Sequence, residues 1–316
     1  MTADLERFST TRSKQIASVF HRYAGKEFIF VEPGGNFGDR LIFKGAEKIA
    51  RQLGISFTAV NYEEFNPKNC NPEQVIYIHG SGGYNPWWSG RPVKAFRKAV
   101  MEHKGVTILG PTTFDTDRVF LDKNLTGFLH KDRNQRVIVA AREWVSFQAL
   151  KAMLPDWVEI IHDHDTSLNL DKSDIYTVNP ESQYTFYAIR DDIERIPLDH
   201  RAFFNVWLDP VRHAKDLDSW IYIHARASRI ITNRLHSAIL GSILGKETTL
   251  LPNNYHKNRA VWEYSLQDSG VSWSDDLPGY ESVILLDNNM FLKKILGNRW
   301  VHRVVRKFHG FKPTRQ

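Results

Sequence analysis

The sequence has a single cysteine and no long apolar run, and these two absences exclude several classes of protein. Cys70 stands alone among 316 residues, so an intrachain disulfide and a cysteine-based metal site are excluded, and a reducing compartment is expected. No apolar run approaches the ~18 residues of a membrane span. Asp4 and Glu6 stand where a signal peptide carries basic residues. We therefore expect a cytoplasmic protein rather than a secreted or integral membrane protein.

The positive charge of the chain is concentrated at the C-terminus. The net charge is +6, but residues 290–316 hold eight of the 42 basic residues and none of the 36 acidic ones. The rest of the chain therefore has a net charge of −2. Because a nucleic-acid-binding protein usually spreads its basic residues over a folded face, we expect no nucleic-acid partner.

Short apolar runs alternate with helical patterns along most of the chain. Residues 28–31 read as a strand, and residues 41–53 repeat apolar side chains at helical spacing. Such alternation is typical of parallel sheets covered by helices on both faces, so we predict an α/β fold with two Rossmann-like, doubly wound domains facing a central cleft. Further strands are predicted at 57–62, 75–78, 106–109, 137–140, 158–161, 184–189, 203–208, 229–232, 248–251 and 283–286.

A polar stretch at residues 171–183 is the predicted linker between the two domains. We place an N-terminal Rossmann-like domain at residues 1–170, a C-terminal one at 171–289, and a basic amphipathic helix and tail at 290–316. In residues 291–308 apolar side chains recur at helical spacing and basic ones fill the other face. This pattern is typical of a helix that lies on an anionic membrane surface; a terminal helix packed on the body is the alternative.

A first glycine-rich loop, residues 32–39, joins a predicted strand to a predicted helix. Its three glycines let the backbone approach a ligand, and the helix start offers free N–H groups to an anion. Asn36 and Asp39 are expected at the mouth of that helix. A tight turn capped by Asp39 is the alternative interpretation.

A second glycine-rich loop, residues 80–88, also follows a strand. It contains Tyr84, Trp87 and Trp88, whose rings could stack on a sugar. Two adjacent tryptophans in such a loop favour a ligand surface, so these three residues are predicted to bind a sugar. A lid or a domain contact is the alternative.

Basic residues follow two predicted strands of the second half. Arg190 can fork onto a carboxylate or phosphate, although a surface ion-pair cluster is the alternative. Arg234 can hold an anion, and His236 can move a proton near neutral pH; a capped helix with a buried histidine is the alternative. Residues 252–258 add further polar groups, among them Lys257, to the same rim.

Two Asp-X-Asp patterns raise the possibility of a metal site. They lie at residues 115–117 and 163–165, the second within the His/Asp cluster 162–165. Such carboxylates serve metal-assisted nucleotide-sugar chemistry, and a His/Asp cluster can bind zinc. The patterns are short and acidic residues are common, so we expect no metal.

The order of these motifs resembles that of the polysaccharide pyruvyl transferase family. The resemblance spans about residues 28–265 and is strongest over 234–258. Residues 110–114 depart from the family, which more often has a Pro-Gln-Ser-like turn there. The matching motifs are Gly-Asn-x-Gly-Asp at 35–39, the glycine-rich loop at 80–83, Arg-Glu-x-x-Ser at 142–146, Arg-x-Asp-x-Glu at 190–194, and the run from Arg-Leu-His to Asn-x-Tyr-x-Lys-Asn at 234–258.

The resemblance implies a GT-B-like fold, with the acceptor side in the N-terminal domain and the donor side in the C-terminal domain. Tyr84, Trp87 and Trp88 of the N-terminal domain are then the predicted acceptor-binding residues. It implies transfer of pyruvate from phosphoenolpyruvate to two hydroxyls of a sugar in a polysaccharide or its lipid-linked precursor. The products are a cyclic ketal and phosphate, and no cofactor is needed. Carried onto this sequence, the implied site has His236 and Asp39 as proton carriers and Arg190, Arg234, Leu235, Asn36 and Lys257 around the donor.

The chemistry of phosphoenolpyruvate fits these residues independently of the resemblance. The molecule carries a carboxylate and a phosphate close together, so its site needs fixed positive charge, which arginines and a helix N-terminus supply. A lipid-linked acceptor would place the enzyme on the inner face of the plasma membrane. The alternatives are a nucleotide-sugar-dependent GT-B glycosyltransferase and a non-catalytic carbohydrate-binding protein.

Overall fold

The strands form two six-stranded sheets in which every neighbouring pair is parallel. This computed structural model describes residues 11–129, 135–175, 184–198 and 206–277, with the backbone of 284–285. The first sheet contains β1 (Phe28–Glu32), β2 (Phe57–Asn61), β3 (Val75–Ile78), β4 (Val106–Thr112), β5 (Arg136–Ala141) and β6 (Glu159–His162). The second contains β7 (Tyr184–Ala188), β8 (Val206–Leu208), β9 (Ala227–Thr232), β10 (Glu247–Leu250), β11 (Val271–Trp273) and β12 (Ile284–Leu285).

Helices connect the strands, as parallel neighbours require. Several are short, and the last continues into a π-helical turn at Trp262–Leu266. The described α-helices are α1 (Lys14–Arg22), α2 (Phe37–Gln52), α3 (Arg91–Glu102), α4 (Arg118–Asn124), α5 (Trp144–Met153), α6 (Lys172–Ile175), α7 (Pro210–His213), α8 (Leu217–Ala225), α9 (Leu235–Ile243) and α10 (Lys257–Val261).

The two sheets arrange their first five strands in the same order and differ in the place of the sixth, which lies beside β5 in the first sheet and beside β8 in the second. The first reads β2-β1-β3-β4-β5-β6, and the second, read from its far edge, is β12-β8-β7-β9-β10-β11. In each sheet the first strand along the chain therefore lies between the second and the third, and the direction of winding reverses beside it. The crevice beyond the carboxyl ends of the strands at such a point is where open α/β sheets bind ligands.

Alternate residues of the first sheet enter two separate cores. Phe28 and Phe30 pack with buried side chains of α1 and α2, whereas Ile29 and Val31 pack with those of α3 and α5. This alternation follows from the two-residue period of a strand, and it requires helices on both faces. The predicted α/β architecture of parallel, Rossmann-like sheets is confirmed.

The sequence pattern located eleven of the described strands to within a few residues and missed β11 (Val271–Trp273). Three residues are too few for a periodic signal. The proposed boundary at residue 171 falls between β6 and β7, and the division into domains stays a prediction. Residues 176–183 of the proposed linker and the whole of 290–316, including the predicted helix at 291–308, lie outside the described residues. Within the described ranges, no helix has the length and apolar character needed to cross a membrane.

Candidate active site

A cleft of about 600 Å³ lies at the carboxyl ends of the strands where each sheet reverses its direction of winding. Four loops form much of its wall, and each follows the carboxyl end of a strand. Since β1 and β3 supply two of these loops and β7 and β9 supply the others, both halves of the chain build the same cleft. The residues that they contribute include Gly34, Gly35 and Asn36; Ser81, Gly82 and Gly83; Arg190, Asp192 and Glu194; and Arg234, Leu235 and His236.

The loop after β1 ends in a reciprocal cap at the start of α2. The Asn36 side chain accepts a hydrogen bond from the Gly38 N–H at 2.8 Å, and the Asp39 carboxylate accepts one from the Asn36 N–H at 2.8 Å. Gly35 has a φ of +133°, and a Cβ there would lie 2.3 Å from the Asp39 carboxylate. The turn capped by Asp39, considered as the alternative interpretation, is therefore present at the start of α2. It also holds Asn36 and Asp39, two predicted site residues, in the cleft wall.

His236 lies directly against this first turn of α2. A Cβ on Gly38 would be 2.5 Å from His236 Cβ and 2.6 Å from its Nδ1, so only glycine permits the approach. The two predicted proton carriers, His236 and Asp39, are thus brought to one place from opposite halves of the chain. Burial raises the pKa of Asp39 above its ordinary value, and the attraction of His236 offsets part of that rise.

Two residues without an assigned role, Arg142 and Asp165, complete the surroundings of His236. The fully buried Arg142 guanidinium donates to Asp165 Oδ2 at 2.7 Å and to Thr113 Oγ1 at 2.8 Å. Asp165 Oδ2 also lies 3.5 Å from His236 Nε2. Burial alone would raise the pKa of Asp165, but the nearby His236 ring and the charge of Arg142 outweigh it and hold that pKa well below its usual range.

The two predicted donor arginines line the cleft, and both are paired with carboxylates. Arg234 Nε donates to Asp209 Oδ1 at 2.6 Å, and its Nη2 donates to Asp192 Oδ2 at 2.8 Å. Arg190 forks onto Asp192 with distances of 2.8 and 3.0 Å. The ion-pair cluster considered as an alternative for Arg190 is therefore present, but it is buried rather than on the surface. A bound anion would share these guanidinium groups with Asp192 and Asp209.

Glu194 connects the donor residues to the second glycine-rich loop. It accepts hydrogen bonds from Arg190 and Lys257, and from Trp88 Nε1 at 2.8 Å. Burial raises the pKa of Glu194, but the charges of Lys257 and Arg190 outweigh it, so the pKa lies below its ordinary value. Burial lowers the pKa of Lys257 to about 8. The Trp88 contact is a direct bond between the two halves of the chain.

Gly82 sets the distance between the second glycine-rich loop and two cations. A Cβ on Gly82 would lie 3.0 Å from Arg142 Nη2 and 3.7 Å from Lys257 Nζ. Both cations therefore converge on the backbone of this loop, and both line the cleft. An anion beside Gly82 would meet two positive charges at once, which makes this place a candidate anion subsite.

The aromatic residues of the same loop point in different directions. Trp88 lines the cleft and is 43% exposed, whereas Trp87 packs on Tyr255 with ring centroids 5.4 Å apart and does not line it. Tyr84 is fully buried, and its hydroxyl donates to the Asn124 carbonyl at 2.7 Å. The predicted acceptor contact of Tyr84 is therefore wrong: a parallel bridge to Phe114 turns its ring into the core of the first sheet.

Carboxylates of both Asp-X-Asp patterns accept hydrogen bonds from groups of the protein itself. Asp163 accepts the N–H groups of Ile16 at 2.7 Å and His164 at 2.9 Å, while Asp165 faces Arg142. Asp117 caps α4 through the Val119 N–H at 2.8 Å. In the ranges that the structure describes, no three His, Cys, Asp or Glu side chains are grouped so that they could hold a metal ion.

The paired parallel sheets and the polar cleft between their loops define a Rossmann-like α/β protein with a binding site built from both halves. A family model described as polysaccharide pyruvyl transferase matches residues 36–255, and the chain belongs to that family. The membership expected from the motifs is thus confirmed, and with it a general assignment as a transferase of polysaccharide synthesis.

A solved structure supports the fold. The crystal structure of a functionally uncharacterised protein from Klebsiella pneumoniae subsp. pneumoniae NTUH-K2044 superposes with a TM-score of 0.64, covering 84% of this chain and 98% of that one. At 18% identity the likeness concerns the fold alone. No protein of curated function matches the chain.

Proposed function

We propose that the protein transfers pyruvate from phosphoenolpyruvate to two hydroxyls of one sugar, forming a cyclic ketal and releasing phosphate. The observation that carries the proposal is the convergence of buried cations on a cleft that also holds two proton carriers. Arg142, Lys257 and Arg190 line that cleft together with His236 and Asp39. Its volume of about 600 Å³ lies within the range of about 300–1,000 Å³ typical of small-molecule sites.

The donor has two anionic groups, and the cleft offers two sets of cations for them. Arg142 and Lys257 converge beside Gly82 and suit one group. Arg190 and Arg234 suit the other, and each is held in place by Asp192. The first turn of α9, where Leu235 lies, has no side-chain cap, so no side chain competes with an anion for its N–H groups, of which that of Ser237 already donates to the Arg234 carbonyl at 3.0 Å.

The reaction needs three proton transfers, two from sugar hydroxyls and one to C3, and we propose His236 and Asp39 as the proton carriers. In the first step a sugar hydroxyl adds to C2 of phosphoenolpyruvate, its proton is removed, and C3 gains a proton to become a methyl group. In the second step the C2–O bond to phosphate breaks, and the second hydroxyl adds to C2 and loses its proton. Phosphate leaves with the bridging oxygen, so the atoms balance without a redox partner or cofactor. General acid–base transfer of this kind typically contributes about 10²–10⁴ in rate.

The acceptor is proposed to enter from the side of the first sheet, as in a GT-B-like arrangement. Trp88 presents an exposed ring at the cleft, and Trp87 stands next to it at 38% exposure. Aromatic faces of this kind stack on sugar rings. We further propose a glycan or lipid-linked oligosaccharide as acceptor and a cytoplasmic enzyme at the inner membrane face, on the strength of the basic pattern at residues 291–308.

The proposal is tested by measuring phosphate release from phosphoenolpyruvate across a panel of glycosides with adjacent or 4,6-type hydroxyl pairs. We expect release that depends on the acceptor and a product with one carboxylate more than the acceptor. A thermal-shift panel with phosphoenolpyruvate and with UDP, GDP and CMP conjugates runs beside it. Stabilisation by a nucleotide conjugate alone, or sugar binding without phosphate release, would overturn the proposal in favour of a glycosyltransferase or a carbohydrate-binding protein.

A further inference from the structure

We propose that Asp165 is a positioning residue that holds the His236 ring with its Nε2–H toward the carboxylate, so that Nδ1 is the nitrogen that exchanges a proton in the cleft. The inference deepens the proposed function, and its kinetic part rests on that function. Its structural part, the protonation pattern of the His236 ring, does not depend on which reaction the protein catalyses.

The two nitrogens of His236 have different surroundings. Nε2 is buried and has no hydrogen-bond partner within standard geometry among the described residues. The carboxylate oxygen beside it is Asp165 Oδ2, at 3.5 Å. Nδ1 lies on the side of Gly38, in the first turn of α2 that also carries Asp39. Because Nε2 is enclosed, Nδ1 is the nitrogen left to serve a substrate in the cleft.

Asp165 is itself rigidly held. It is fully buried, it receives the Arg142 Nη1 hydrogen bond at 2.7 Å, and it accepts the Ser167 N–H at 3.0 Å as the cap of the 3₁₀ turn Thr166–Asn169. These donors favour the ionised carboxylate. A fixed negative charge beside Nε2 requires a proton on that nitrogen, since a lone pair there would face the carboxylate.

This arrangement has a chemical consequence. With the proton on Nε2, the lone pair of Nδ1 is free to accept the proton of a sugar hydroxyl, and Asp165 then stabilises the imidazolium that forms. The same logic explains how a buried aspartate orients a histidine in hydrolytic triads. The Asp39 carboxylate accepts the Asn36 N–H at 2.8 Å, and the carboxylate beside His236 Nε2 is that of Asp165.

The structural test is ¹⁵N NMR of the full-length protein labelled at its histidine nitrogens, with His236 assigned by the His236→Gln variant. At a pH where the imidazole is neutral, we expect His236 to carry its proton on Nε2 alone. Asp165→Ala should change the His236 nitrogen shifts toward those of an imidazole exchanging between both forms. A proton on Nδ1 in the wild-type protein, or an unchanged His236 spectrum in Asp165→Ala, would overturn the proposal.

The kinetic test compares Asp165→Asn with Thr113→Val, which removes another hydrogen bond of Arg142 but leaves Asp165 and His236 in place. We expect Asp165→Asn to lower kcat by at least about 100-fold, with little change in the KM for phosphoenolpyruvate. Thr113→Val should affect mainly that KM. Equal losses in the two variants would show that Asp165 acts through Arg142 and would refute the role.

A double-mutant cycle separates this role from a general loss of structure. In a His236→Ala background, Asp165→Asn should cause no further fall in kcat, because the two residues act as one unit. Independent, additive losses would contradict the proposal. The Ser167 hydroxyl also donates a hydrogen bond to Asp165 Oδ1, at 2.5 Å. If Asp165→Asn does not fold, Ser167→Ala, which removes this bond and keeps the backbone one, should still lower kcat by a smaller factor. A protein that releases no phosphate with any acceptor would defeat the proposed function, while the NMR result would still decide the role of Asp165.

Discussion

Lys257 allows the donor site to be tested by pH alone. Its ammonium group is buried against Glu194, and burial lowers its pKa to about 8. The group is therefore charged at pH 7 and largely neutral at pH 9.5. If it binds an anionic group of phosphoenolpyruvate, affinity should be constant below pH 8 and should fall above it, by at most about tenfold per pH unit.

The size of the effect follows from the kind of bond that is lost. A hydrogen bond to a charged group is worth about 1.5–3 kcal/mol, so Lys257→Met at pH 7 should weaken donor binding by about 10- to 150-fold. The fall in wild-type affinity with pH should level off near the value for this variant. In the variant itself, the part of the pH dependence that begins near pH 8 should disappear.

Isothermal titration of phosphoenolpyruvate into the full-length protein between pH 7 and 9.5 measures both quantities. Lys98→Met is the matched control, because Lys98 donates to the Phe65 carbonyl at 2.7 Å and does not line the cleft. Its affinity and pH dependence should equal those of the wild type. The same dependence above pH 8 in Lys257→Met and in the wild type would refute the assignment of Lys257 to the donor.

Three further predictions concern other parts of the chain. Gly38→Ala should displace His236, since the added Cβ would lie 2.5 Å from it, and should lower kcat by about 100-fold; Gly25→Ala, which has open space, should not. Arg234→Ala should weaken donor binding and also destabilise the fold by about 3 kcal/mol, because it leaves Asp209 buried without its partner; Arg234→Lys should restore little, as urea titration and calorimetry would show. Truncation before Phe291 should abolish sedimentation with anionic liposomes but preserve transfer to a soluble glycoside, and full-length protein that ignores such liposomes at low salt would contradict the membrane proposal.

Much of the framework could be predicted because its signals are local. Strands appear as short apolar runs bounded by glycine or proline, and polar residues at their carboxyl ends identify the loops that meet at the cleft. Asn36, Asp39, Arg234 and His236 were found in this way. A polar side chain that directly follows a parallel strand lies at the carboxyl edge of the sheet, where the cleft is formed.

The remaining features depend on contacts between distant parts of the chain. Arg142 and Asp165 are 23 residues apart, and nothing in the spacing of either indicates that they pair. The burial of Tyr84 depends on a bridge to Phe114, which cannot be predicted from the residues next to Tyr84 in the sequence. The carboxylates that hold Arg190 and Arg234 come from loops beyond two different strands. Such pairings are fixed by the way in which the elements pack, so they become visible only in three dimensions.

The contact between His236 and Gly38 means that the proposed proton carriers are divided between the halves of the chain. The second half carries Arg190, Arg234 and Lys257, three of the four cations proposed to hold the donor, whereas Asp39 and Asp165 belong to the first half and lie beside His236 of the second. Binding and activation are then separable events. If the proposed donor bound to the second half while the two halves were apart, it would meet water but no aligned proton carrier, so it would be protected from wasteful hydrolysis until the cleft is assembled around an acceptor.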